Sequence, residues 1–321
     1  CGDGLSLYAE VLSFTGLARE ISSECGGAAN EYLDKGGRLL CMALAADGLY
    51  SRLRVYGAAR RKAELQTMLL GAVDEFKSAC VTSERLMQAS EACEGALGDK
   101  LHDLGLILEA YDGVVANGRA DPSDRLSVLA QQIGQCSMSE RTHVFVDGFT
   151  DFTAQERRVL EALLSKGVCL TVCLGCDELH GGSEVFALSR ITASALLKFA
   201  ADNGIKAQTE RFGGESTKAK PLGEFAENMF SYRAVEAGDA QGRIKIISAA
   251  DTNAECEFAA AEAVSLVRDT GCRWRDIAVC AKGFDDYRLP LESAFSRFGA
   301  PIYTARKAAI KAAADAYRVG V

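Results

Sequence analysis

No apolar run in this 321-residue sequence is long enough to span a bilayer, and no secretory signal opens it. That sets aside a membrane protein and makes a reducing cytoplasm the expected compartment for its 12 cysteines. The cysteines are scattered through apolar segments, as at Cys41, Cys169, Cys173 and Cys280, where a free thiol is expected to act as a small buried hydrophobe. Cys173 and Cys176 form one Cys-x-x-Cys, but no second pair accompanies it, so no metal site is read here. Positive charge is also short: Lys and Arg number 36 against 44 Asp and Glu, a net charge of -8. An autonomous duplex-DNA binder is usually basic, because phosphate neutralisation dominates its affinity. The acidic balance excludes that simple class and leaves room for a local basic groove. Finally, no Gly-x-x-x-x-Gly-Lys-Ser/Thr phosphate loop occurs anywhere. The chain opens at Cys1 rather than methionine, so it is read as a piece of a longer protein, with missing motifs expected outside it.

What is present describes a globular protein with material for about two domains: 48% hydrophobic and 25% charged residues. The most informative stretch runs from His143 to Glu156. Val144 to Val146 read as a short buried strand, because β-branched and aromatic residues suit a covered pleated surface. Asp147 then stands at the carboxyl end of that strand, the edge where open α/β sheets bind ligands. Thr153 and Glu156 fit a capping box that starts a helix from Ala154 to Lys166. A second strand, Cys169 to Leu174, follows, and strand–helix–strand at this spacing suits a right-handed parallel crossover. On spacing alone, an ordinary strand-end aspartate is the favoured reading of Asp147.

The wording of this stretch, "VDGFTDFTAQE", resembles the second helicase motif of the AddB (RexB) family, the B subunit of the bacterial ATP-dependent helicase–nuclease that processes double-strand DNA breaks. Three further segments carry the resemblance. "VLSFTGLARE", residues 11 to 20, is similar to the family's strand-contacting segment after the first helicase motif, and it reads as a short strand, a turn and a helix through Ile21. "DKLHDLGLILEAY", residues 99 to 111, is similar to another family segment. The Gly175-Cys176-Asp177-Glu178 run resembles the third helicase motif at Asp177. Superfamily 1 helicases pair an aspartate with a glutamate in the second motif; here Gly148 follows Asp147, so the group that positions the attacking water is missing.

The rest of the chain is read by period. Residues 31 to 118 are helical in pattern: Tyr32, Leu39, Leu40 and Leu44, then Leu65, Met68, Leu69, Ala72 and Phe76, then Leu101, Leu104, Leu108 and Tyr111. Within them Arg52, Arg54, Arg60, Arg61 and Lys62 form a basic cluster that is either a phosphate track or a solvated face. Asp121-Pro122-Ser123-Asp124 is a turn leading to a helix up to Gln135. Glu184 to Asn203 read as a helix, and residues 205 to 223 as a linker or exposed crossing. A second α/β pattern then begins, with strands at Ile244–Ile247 and Ile277–Cys280, helices over 255–267 and 285–298, and a last helix from Ala305. It resembles the start of the second motor domain of UvrD-like helicases, with Lys282 where that motif has an arginine.

The resemblance implies an α/β fold: a parallel-sheet, P-loop-helicase-like core of the UvrD-like superfamily 1 type, an all-helical insert and the start of a second α/β domain. The expected division is 1–30 and 126–222 for the core, 31–125 for the insert, 223–242 for a linker and 243–321 for the second domain. It implies single-stranded DNA contacts at Phe14, Thr15, Arg19, Phe149 and Phe152, although Phe14 reads equally well as core. Asp147, Asp177 and Lys282 would be vestiges of a nucleotide and magnesium site. ATP and magnesium would belong to the full protein, and an iron–sulfur cluster to a C-terminal nuclease part that is absent here. The implied partner is the AddA helicase–nuclease subunit. Two other readings stay open: a working ATPase whose phosphate loop lies outside this stretch, and a purely structural scaffold for AddA. Whether the chain is an enzyme is left undecided.

Overall fold

The computed structural model describes residues 9–26, 31–138, 141–212, 220–229 and 242–304. They fall into two compact units, the first holding the described residues up to 212 and the second those from 220 onward.

The first unit has two hydrophobic cores. One belongs to four helices: α2 (Lys35–Gly48), α3 (Ala63–Ser78), α4 (Ser83–Ala92) and α5 (Gly95–Ala116). Met42, Leu69, Ile107 and Tyr111 are its fully buried centre. Helix α5 lies close against α4 because it carries glycine where they meet. A Cβ on Gly98 would stand 2.2 Å from the Cys93 carbonyl oxygen, and one on Gly105 2.9 Å from the Met87 sulfur. Helical spacing located these helices but misplaced one face. Leu40 and Leu44 are exposed because α2 turns Met42, Ala45 and Ala46 inward, and Met68 is exposed because α3 turns Leu69, Leu70 and Val73 inward.

The other core is formed by α1 (Phe14–Glu24), α6 (Arg125–Gln132), α7 (Ala154–Ser165), β1 (His143–Phe149) and β2 (Cys169–Leu174), joined by Leu196 of α8 (Ala187–Asp202). Ile21, Leu129, Ile133, Val146, Val159, Leu160 and Leu163 are buried there. β1 and β2 are parallel neighbours joined through α7, as the strand–helix–strand spacing predicts, and Thr153 and Glu156 make the expected capping box. Only one face of this two-stranded sheet is covered among the described residues. Val144 and Val146 turn inward, while Phe145, Cys169, Thr171 and Cys173 are exposed. The expectation that the cysteines fill cores therefore holds for Cys136 and Cys256 but fails at Cys169, Cys173 and Cys280.

The chain passes from the second core to the helical core and back through two adjacent crossings. Tyr32 and Ala120 form a parallel bridge, with the Leu33 amide donating to the Ala120 carbonyl at 2.9 Å. Behind this neck, Asp121 is fully buried between two cations, Arg38 at 3.0 Å and Lys77 at 3.1 Å. Lys77 also meets Asp112 at 2.9 Å and Asp124 at 2.7 Å. Burial opposes ionisation of both Lys77 and Asp121. The carboxylates around Lys77 nevertheless hold its pKa above the usual lysine range, and backbone and cationic partners hold Asp121 below the usual carboxylate range.

The second unit contains α9 (Lys220–Asn228), α10 (Thr252–Thr270) and α11 (Phe284–Arg297). Cys256, Ala260 and Ala263 of α10 pack on Leu291, Ala294 and Phe295 of α11. Part of the stretch expected to be linker is thus helical in α9, and residues 230–241 of the 223–242 linker lie outside the described residues. The strands expected at Val11–Leu12, Ile244–Ile247 and Ile277–Cys280 form no ladder among the described residues. A strand is held by hydrogen bonds to its neighbour's backbone, and without them apolar β-formers alone do not make one. The helix expected from Ala305 lies outside the described residues. The structure is α/β with mostly helices and a small parallel sheet. No helix among the described residues is long and apolar enough to cross a membrane.

Candidate nucleic-acid interface

Three elements meet at the carboxyl end of β1, and a bulge decides how. Val146 pairs with Val172, and the next pair is Phe149 with Leu174, so β1 carries one extra residue at Asp147–Gly148. Strand side chains alternate faces, so without the bulge Phe149 would share the exposed face of Phe145. The extra residue returns it to the inner face. Gly148 makes this possible with φ +81°, a left-handed conformation that costs a residue with a Cβ.

Phe149 then meets two other rings. Its centroid lies 5.6 Å from that of Phe14, edge to face, and 5.0 Å from that of Phe152. Phe14 and Phe152 are 6.3 Å apart, again edge to face. All three rings are half-buried. They reach the hydrophobic core from one side and solvent from the other, so Phe14 is both core and surface. The first turns of α1 and α7 bring their amides to the same corner. The Ser13 hydroxyl accepts from the Gly16 amide at 3.1 Å, and the Thr153 hydroxyl from the Glu156 amide at 3.2 Å. Thr15 and Arg19 are both exposed and, four residues apart on α1, share one helix face. The structure therefore gathers Phe14, Phe149 and Phe152 into one cluster and places Thr15 and Arg19 on the helix that carries Phe14.

The residues expected as nucleotide-site vestiges are arranged differently. Asp147 is exposed beside the corner, with its carboxylate accepting from the Gly148 amide at 2.9 Å. Asp177 accepts from the amides of Ser183 at 2.6 Å and Glu178 at 2.8 Å, and from Arg190 at 3.0 Å. The Ser183 amide foremost, with the other donors, holds its pKa below the usual carboxylate range. A carboxylate already taken up by two amides and a guanidinium is a loop clasp and does not fit a magnesium ligand. Lys282 belongs to the second unit, exposed in the turn before α11. Among the described residues no group of three or more His, Cys, Asp or Glu side chains could hold a metal ion.

Two features of the corner escaped sequence reasoning. One is the bulge, whose signal was available as a glycine directly after a strand-end aspartate. The other is Gln155, a buried residue of α7 whose amide donates to the Ser123 carbonyl at 2.8 Å and the Ser127 hydroxyl at 3.0 Å. It ties the helix behind Phe152 to the turn where the chain leaves the helical core. Nothing in the sequence marks a first-turn glutamine as buried.

Comparison with known proteins places the chain in a family. Residues 2–225 match the family model described as "ADDB, N-terminal". The chain is 32% identical over 316 residues to the B subunit of the ATP-dependent helicase/deoxyribonuclease of Desulforudis audaxviator, covering 94% of this chain and 27% of that protein. Proteins of the same name from Heliobacterium modesticaldum and Acetivibrio thermocellus are 32% and 27% identical, over 94% and 95% of this chain. The chain spans only 26% and 28% of their lengths. With the family model matched over more than half of its residues, the chain belongs to the AddB family, in the region of that family's N-terminal part.

Proposed function

We propose that this chain is the helicase-like, non-hydrolysing DNA-binding portion of an AddB-type subunit, one that works in an ATP-dependent helicase–nuclease on double-strand breaks. It would hold single-stranded DNA at the corner of Phe14, Phe149 and Phe152 and join an AddA partner. The observation that carries this reading is the aromatic cluster at the carboxyl end of β1, half open to solvent, with Thr15 and Arg19 exposed on the adjoining helix. Aromatic rings accept stacked bases of any sequence, and hydroxyl, guanidinium and helix-terminal amide groups accept phosphates.

The division into a helicase-like core interrupted by a helical insert belongs to the same reading. The paired crossings at Tyr32 and Ala120 and the two separate hydrophobic cores support it. Hydrolysis is assigned elsewhere because Gly148 replaces the water-positioning acid and Asp177 is engaged as a clasp. The test is ATP turnover by the full-length subunit with the partner's motor disabled: none is expected. Turnover that collapses on Asp147→Ala would overturn the non-hydrolysing assignment.

A second reading, a scaffold that binds AddA alone, is favoured by one observation. Val185, Leu188 and Ile191 are exposed at three-residue spacing from the turn before α8 into that helix. Retention of AddA with no binding of single-stranded DNA would favour the scaffold over the strand-holding corner.

A further inference from the structure

The basic cluster of the helical core is not used by the aromatic corner, and its geometry is unusually fixed for a surface loop. Residues 50–62 connect α2 to α3. Beneath them lies Asp103 of α5, fully buried. Its carboxylate accepts from three consecutive loop amides: Arg54 at 2.9 Å, Val55 at 2.7 Å and Tyr56 at 3.1 Å. Gly57 is buried, where a Cβ would stand 3.2 Å from the Tyr50 carbonyl oxygen. The Arg60 guanidinium stacks 3.8 Å above the Tyr50 ring and donates to Asp47 at 2.9 Å. A buried anion thus holds the backbone, and a stacked arginine holds the rim.

What this frame displays is positive. Arg61 is 75% exposed while donating to Asp47, and Arg54 is 54% exposed while paired with Asp99. Arg52 and Lys62 are exposed and carry no ion pair among the described residues. Exposed pairs of this kind hold weakly and are screened by salt, so a phosphate competes for the same guanidinium groups. Five cations here are set against the carboxylates of Asp47, Asp99 and the buried Asp103, an excess of positive charge in a chain whose net charge is -8.

We propose that loop 50–62 is a second nucleic-acid contact, a preformed cationic shelf that grips the sugar–phosphate backbone of a DNA strand without reading its bases. The ligand class follows from the donors: guanidinium and ammonium groups on a fixed frame match spaced phosphates, and the exposed face of Tyr50 already carries its arginine. The shelf rests on the proposed function only in taking DNA as the polyanion. It makes no use of the corner residues.

Fluorescence anisotropy of the full chain with oligo-dT, and with a wholly abasic strand of equal length, between about 50 and 200 mM salt, tests it. Arg52→Glu combined with Lys62→Glu is expected to weaken both ligands alike. The salt slope should fall by about 1.4, the single-strand value for two lost phosphate contacts. The neutral pair Arg52→Gln and Lys62→Gln removes the same two cations and should show this slope change as well, which keeps the test decisive where the reversed charges impair folding. Unchanged affinity and slope, or a loss confined to oligo-dT, overturns the shelf. Binding to anionic vesicles but not to the abasic strand overturns it as well. The corner fails separately: Phe149→Ala should weaken oligo-dT and spare the abasic strand. If it spares both while the shelf variants weaken both, the shelf stands and the corner does not.

Discussion

The rings of Phe14 and Phe149 meet edge to face, with centroids 5.6 Å apart and planes inclined at 73°. Phe14 starts α1 and Phe149 ends β1, so the contact closes that helix onto that strand. The contact exists because of one left-handed residue. Gly148 absorbs the extra residue of β1, and the strand alternation is reset at Phe149.

Gly148→Ala should therefore be felt at the corner. A Cβ there would have nothing within 4 Å, so the cost is conformational alone and should be about 1 kcal/mol. The expected outcome is a slightly lowered denaturation midpoint together with weaker single-strand binding, as Phe149 shifts. Weaker binding with a fully retained Phe14–Phe149 contact would separate the bulge from the ring arrangement. Introducing the acid that superfamily 1 helicases carry, by Gly148→Glu, should meet the same strain and restore no hydrolysis.

The Asp177 clasp is predicted to be structural and acid-sensitive. Its pKa is lowered in the fold, chiefly by the Ser183 amide, so its contribution to stability is present at neutral pH and is lost as pH falls below the usual carboxylate range. Hydrogen exchange of residues 177–183 should accelerate at acid pH, and Asp177→Asn should remove most of that pH dependence. Gly182→Ala should open the same loop at neutral pH. Its φ is +82°, and a Cβ would stand 2.4 Å from an Asp177 carboxylate oxygen, a strain of about 2 kcal/mol. A protected loop in Gly182→Ala would refute the clasp.

Asp103→Ala should destabilise the helical core by about 3 kcal/mol, since it leaves three loop amides without their acceptor. Burial alone would raise the Asp103 pKa, but the amides of Arg54, Val55 and Tyr56 outweigh it and hold the group below the usual carboxylate range. Its stabilisation is thus also present at neutral pH and lost in acid. Chemical denaturation of wild type and variant at neutral and acid pH should show the difference shrinking as pH falls. A difference independent of pH would place the effect in cavity formation rather than in the carboxylate.

How much of this was legible in the sequence follows from what each residue reports locally. Thr153 and Glu156 announce their helix because a capping box involves neighbours in the chain. The parallel pair of strands around α7 was legible from period and spacing. Helices α10 and α11 of the second unit were legible too, whereas α9 was read as linker and the strands expected there form no ladder among the described residues. Ile244–Ile247 and Ile277–Cys280 have strand-like composition, yet a strand needs a neighbour that composition cannot supply. At the site, Phe14, Phe149 and Phe152 were marked by their wording, while their mutual contact depends on a bulge. Asp177 could be placed at a sheet edge but not recognised as engaged, because its partner Arg190 comes from the next helix. Asp103 looks like any helix-surface acid until the loop folds over it.

The central claim is that the aromatic corner holds a DNA strand, and single-strand binding by the Phe149→Ala variant tests it most directly. The measurement is oligo-dT affinity at low salt by fluorescence anisotropy, beside a circular dichroism melt to confirm that the variant is folded. One lost stacking platform of about 1–3 kcal/mol predicts a loss of roughly five- to 150-fold. A folded variant that binds oligo-dT as tightly as the wild type would contradict the account.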